Sequence, residues 1–119
     1  MNPRFSLMSV LENAKAHYQE ILAADPKPIT IAEWGGEFFV RPQISVKKKM
    51  EIQAKLTGDK MDEGLALSLI YYLVDGENKP VFNKGDLFEM IRAVDPDVLI
   101  RVAGEIAEMQ PKAEDIEGN

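Results

Sequence analysis

The sequence predicts a mainly α-helical fold, a small domain of about five helices with one β-hairpin near its N-terminus. Three observations carry this reading. Apolar residues recur at helical spacing over most of the chain. Helix-start residues (Ser, Asn or Asp-Pro) stand in front of those stretches. The exception is residues 29–41, where β-prone runs flank the paired glycines Gly35 and Gly36. Glycine supplies the positive φ that a two-residue hairpin turn demands.

In chain order, Ser6 can cap a first helix running to about Ala24. Leu7, Leu11, Ala14, Tyr18, Ile21 and Leu22 share one of its faces. Asp25-Pro26-Lys27-Pro28 ends it, because proline cannot continue helical hydrogen bonding. The hairpin follows, at about 29–41. A turn at Gly35-Gly36 places Trp34 opposite Glu37, Ala32 opposite Phe39 and Ile31 opposite Val40. Alternation then puts Ile29, Ile31, Phe38 and Val40 on one face and Ala32, Trp34, Phe39 and Arg41 on the other. A lone hairpin is marginal in water, so this ribbon must pack on helices or pair with another chain.

Ser45 caps a polar second helix, with Val46, Met50 and Leu56 as its expected inward positions. Thr57-Gly58-Asp59 is a break. Met61 to Val74 reads as the central helix, because Leu65 to Val74 is apolar nearly all round. Asp75 to Pro80 has strong turn chemistry. Asn83, with Asp86 three residues on, predicts a capping box for a short helix bearing Leu87, Phe88, Met90 and Ile91. Asp95-Pro96 starts the last helix, whose face is Val98, Leu99, Val102, Ile106 and Met109. Residues 1–110 thus read as a single domain, and 111–119 as a flexible acidic tail with too little apolar content to fold alone.

Composition narrows the function classes. The 119 residues contain no cysteine, which removes disulfide frameworks and thiolate metal sites. No apolar run reaches the roughly 20 residues that span a bilayer. Charge is uneven: residues 1–60 carry nine Lys/Arg against seven Asp/Glu, and residues 61–119 carry five against thirteen. An acidic half argues against nucleic acid, which needs clustered cations to displace counterions. Lys47-Lys48-Lys49 is the only basic cluster and reads as the solvated first turn of a helix.

Catalytic, cofactor and metal motifs are missing. His17, the only histidine, has no nucleophile or orienting partner named by the sequence. A calcium loop starting at Asp75 fails, since Lys79 and Pro80 fall where a ligand and a glycine belong. Gly35-Gly36 is not followed by Gly-Lys-Ser/Thr, so no phosphate loop forms. The expectation is therefore no enzyme, no cofactor and no metal. Trp34, Phe39 and Arg41 are the candidate partner-binding residues: Trp is enriched in binding hot spots, and a hairpin offers an edge for strand addition.

The order of elements carries a family resemblance. A short helix ending Ile21-Leu22-Ala23-Ala24-Asp25 precedes Glu33-Trp34-Gly35-Gly36-Glu37-Phe38-Phe39-Val40-Arg41. A Ser-started polar helix follows, then an apolar helix running into Val74-Asp75-Gly76 and Phe82-Asn83-Lys84-Gly85-Asp86-Leu87. Over roughly residues 7–119 this resembles the tail assembly chaperones of long-tailed bacteriophages, which show a Trp-Gly hairpin with Val-Arg near the front and a polar C-terminal tail. The resemblance implies a non-catalytic morphogenesis factor in the host cell cytoplasm. Such a protein binds the tape measure protein, keeps it soluble and assists tail tube assembly. It further implies self-association into a homo-oligomer, with the tail tube protein and a frameshift-extended form of the chain as additional partners. The alternative is a structural tail or head–tail component retained in the virion.

Overall fold

The computed structural model describes residues 9–110. Within them lie five α-helices and a three-stranded antiparallel sheet of order β1-β2-β3. The helices are α1 (Val10–Leu22), α2 (Val46–Thr57), α3 (Met61–Tyr72), α4 (Leu87–Ala93) and α5 (Pro96–Met109). The strands are β1 (Lys27–Ile31), β2 (Gly36–Val40) and β3 (Leu73–Val74). The mainly α expectation with an early hairpin is borne out.

Helix α3 is the hub. Its residues from Ala66 to Tyr72 are all buried, matching the apolar run in the sequence. Helices α2, α4 and α5 pack on it. On the α2 side the approach is close. A Cβ built on Gly64 would lie 2.8 Å from Leu56 Cδ2 and 3.0 Å from the Leu56 backbone nitrogen. The buried Ser68 hydroxyl donates to the Gly64 carbonyl, so it leaves no orphaned group beside this contact.

Three expectations need correction. The chain does not stay helical to Val74. It turns extended after Tyr72, and Leu73–Val74 forms β3 beside β2, with Leu73 facing Val40 and Val74 facing Phe39. An apolar run looks the same as buried helix or buried strand, and the free edge of β2 decides between them. The Arg41 N–H also donates to the Tyr72 carbonyl at 2.9 Å, which splices the helix end onto the sheet.

The hairpin register also differs. Ile31 faces Gly36 and Ile29 faces Phe38. The turn is the 3₁₀ segment Ala32–Trp34 closed by Gly35, whose φ of 108° is left-handed. Within this longer turn Glu33 pairs with Arg101 and Trp34 packs on Phe82, as described below. Because the slip is an even number of residues, Ile29, Ile31, Phe38 and Val40 still share a face. Ile29, Ile31 and Val40 are buried in the core.

The third correction concerns which apolar residues point inward. Val46 and Met50 are 76% and 62% exposed, while Ile52 is the buried residue of α2. Four-residue spacing keeps Val46 and Met50 on one stripe, but that stripe is turned away from α3. Phe88 is likewise exposed, and Met90 carries the contact of α4 with the core. Helix α1 buries none of its residues, with Leu11 67% exposed.

Capping signals fared well. Ser45 accepts from the Lys48 N–H, Asp95 accepts from the Asp97 N–H, and the Asn83/Asp86 capping box is complete. The α1 cap is Ser9, which accepts from the Glu12 N–H, and the helix ends at Leu22. The Ser6 cap, Leu7 and the 111–119 tail lie outside the described residues. In the turn after β3, the Asp75 carboxylate accepts from the N–H groups of Glu77 and Lys79. Those bonds hold its pKa below the usual carboxylate range.

Candidate functional site

The hairpin tip is clamped to the body on two sides. Arg101 of α5 forms a bidentate pair with Glu33, at 2.8 and 2.7 Å. This fork geometry is the strong form of the Arg–carboxylate contact. Trp34 meets Phe82 edge to face, with ring centroids 5.7 Å apart at 84°. Trp34 is therefore half-buried against its own chain at the tip. Phe39 is half-buried in β2, opposite Pro28 and Val74. Arg41 follows β2 at the opposite end of the hairpin from Trp34. The structure thus joins Phe39 and Arg41 to one end of the sheet and sets Trp34 apart from them.

The Glu33–Arg101 pair carries a pH signature. Hydrogen bonding to Arg101, foremost, holds the Glu33 carboxyl at about 2, against an ordinary value of 4.5. Its folded pKa is depressed, so its stabilisation is complete above pH 4.5 and disappears as pH falls toward 2. Glu33→Gln should therefore lower the urea midpoint at pH 6 and have little effect near pH 2. Equal midpoints for the two proteins at pH 6 would refute a stabilising clamp.

A second polar tie joins α2, α3 and the segment before α4. The Tyr71 hydroxyl donates to Glu51 Oε1 at 2.5 Å, and Lys84 Nζ lies 2.9 Å from Glu51 Oε2. Lys48 Nζ lies 5.2 Å from the Tyr71 ring centroid, a cation–π distance. The Tyr71 hydrogen bond, then Lys84, lowers the Glu51 pKa. This cluster braces the three elements against one another.

The open apolar surface lies elsewhere, where α1 and β2 meet α2 and α5. A cavity of about 460 Å³ separates the Tyr18–Ile21 turn of α1 from Ile44 and Val46. A second, of about 280 Å³, runs between α2 and α5 over Ser68 and Tyr72 of α3. A third, of about 230 Å³, has Val40, Arg41 and Met109 in its walls. The first and second share Lys49, the second and third share Gln110, and the first and third share Ile21 and Gln43. The three are adjacent, with walls in common, and together make up an apolar trough.

Its charged lining is cationic. Lys27, Arg41 and Lys49 line the trough, and among the described residues no Asp or Glu does. That is notable in a chain of net charge −6. Two buried polar atoms in these walls, Arg41 Nε and Gln110 Oε1, have no hydrogen-bond partner among the described residues. The Gln110 amide nitrogen donates to the Ile106 carbonyl, which leaves Oε1 as the orphan. Burial, more than the nearby Tyr18, pushes the Tyr72 hydroxyl up to about 12.

Of the three residues singled out by sequence, only Arg41 lines the trough. Tyr18 with Ile21, Ile52 with Leu56, and Ala103 with Ile106 lie in pairs on three helices and carry no shared motif, so sequence reading missed them as a set. The one usable signal was the apolar stripe of α1, which looks like a core face but has no core over it. Among the described residues, no group of three or more His, Asp or Glu is placed to hold a metal ion. No helix there is long and apolar enough to cross a membrane.

No protein-family model and no curated protein sequence matches the chain. Among solved structures it is similar to the tail assembly chaperone of bacteriophage HK97, with a TM-score of 0.59 at 15% identity. The match covers 78% of this chain and 96% of that one. The fold expected from the order of elements is thus one that a phage chaperone also has.

Proposed function

We propose that this protein is a non-catalytic tail assembly chaperone of a long-tailed phage. It binds the tape measure protein in the host cytoplasm, keeps it soluble and assists assembly of the tail tube. The observation that carries the reading is the open apolar trough on a fold shared with the HK97 protein. A chaperone for an apolar helical client needs contact surface that its own core leaves uncovered, and exposed apolar area of this kind marks interaction sites. Exposed Val10, Leu11, Val46 and Met50 add apolar area on α1 and α2. Self-association along the client can use the outer face of α1, where Val10 and Leu11 are exposed and no residue is buried. An isolated helix of this length is marginal in water and gains stability from a cover.

Co-expression tests the reading. The tape measure protein of the same phage should move from the insoluble to the soluble fraction when the two are made together. A stable complex should elute on size exclusion. No gain in solubility and no complex would overturn the proposal. Abundant copies in purified virions would instead favour a structural tail component.

A further inference from the structure

We infer that the trough receives an α-helical client segment whose apolar stripe is flanked by carboxylates. This rests on the chaperone reading above and adds the chemistry of the bound segment. Two properties of the walls lead to it.

The first is the backbone state of the walls. The part between α2 and α5 is built from side chains of helices, whose peptide groups are already paired within each helix. It offers no strand edge to an incoming chain. An extended peptide entering there would bury N–H and C=O groups without partners, a costly arrangement. A helix brings its backbone already satisfied and presents only side chains. From Val46 to Leu56 the trough follows α2 for about 15 Å, or roughly three helical turns. Apolar residues at i, i+3 or i+4, and i+7 of a partner would span that length.

The second is charge. Lys49 stands where two arms meet, Lys27 and Arg41 line the third, and among the described residues no carboxylate lines them. A partner carboxylate flanking an apolar anchor supplies the missing counter-charge. A lysine-flanked helix would meet like charge at the same points. Complementarity of this kind chooses partners more than it adds raw affinity.

The test uses the full chain and two labelled peptides of about 14 residues, close to four helical turns. Both carry leucine at i, i+3, i+4 and i+7. Glutamate flanks the leucines in one peptide and lysine in the other. By fluorescence anisotropy the glutamate peptide should bind at least about ten-fold tighter. Lys49→Glu should reverse that preference. Ala107→Trp, at an exposed trough position, should weaken the glutamate peptide by about ten-fold by filling the trough. Unchanged thermal melts of both variants would confirm that the fold is intact.

Equal affinity for the two peptides, or no effect of either folded variant, would overturn the inference. A concentration-dependent increase in mass that Ala107→Trp abolishes would also overturn it, by assigning the trough to a second copy of the chain. Failure of the glutamate peptide while co-expression still solubilises the tape measure protein would reject the trough and leave the chaperone reading standing. Failure of both would remove both.

Discussion

Leu73→Ala should cost about 2–5 kcal/mol of folding stability, the range for truncating a buried leucine. Leu73 has no exposed surface and sits in β3, where it faces Val40. Its carbonyl accepts from the Val81 N–H, so the residue links the sheet to the segment leading into α4. Truncation opens a cavity where the end of α3, the hairpin and that segment meet. Urea unfolding monitored by circular dichroism measures the loss. Phe88→Ala, at a 64% exposed position, should stay within about 0.5 kcal/mol and serves as the comparison. If the two variants lost similar stability, the packing described around β3 would be wrong.

Gly64→Ala should also destabilise, although alanine is the better helix former. The propensity gain is about 1 kcal/mol. Against it, the new methyl would lie 2.8 Å from Leu56 Cδ2 and 2.9 Å from Leu56 Cγ. Leucine side chains can rotate, but the Leu56 backbone nitrogen at 3.0 Å cannot move without separating α2 from α3. Overpacking of this kind costs about 1–3 kcal/mol. The expected net is a loss of up to about 2 kcal/mol, because the two helices must part along their contact. Leu56→Ala in the same chain should recover part of it, read as a positive coupling in a double-mutant cycle. A Gly64→Ala protein more stable than its parent would refute the close approach.

These two residues also mark where sequence reading succeeds and where it stops. Asn83 with Asp86, Ser45, and Asp95 before Pro96 were legible because a cap is local: the side chain bonds a backbone N–H two or three residues on. The buried face of α5 was legible because Val98, Leu99, Val102 and Ile106 keep one helical stripe under a continuous core. Leu73 and Val74 were not, since their strand exists only through pairing with β2, a segment more than thirty residues earlier in the chain. Gly64 looked like an ordinary helix glycine, and its reason for being small is a leucine on another helix.

Apolar stripes were legible as stripes but not as interior. Val46 and Met50 have the right spacing for a core face, as do Leu11 and Tyr18, yet α2 is rotated so that Ile52 takes the core position. Periodicity reports that a face is apolar. What covers it depends on the other elements, or on another molecule. The candidate site follows the same logic: Arg41 could be singled out beside the hairpin, whereas the trough it lines draws on α1, α2, α3 and α5 together.

By itself the sequence determined the number and type of the helices, the caps of α2 and α5, the capping box before α4 and the faces of the hairpin, because each depends on bonds and periodicities within a few residues. Only the tertiary structure decided the hairpin register, the third strand, the close helix contact at Gly64 and the cationic apolar trough. Those depend on groups far apart in the chain meeting in space, where pairing, excluded volume and uncovered area are set by the whole packing.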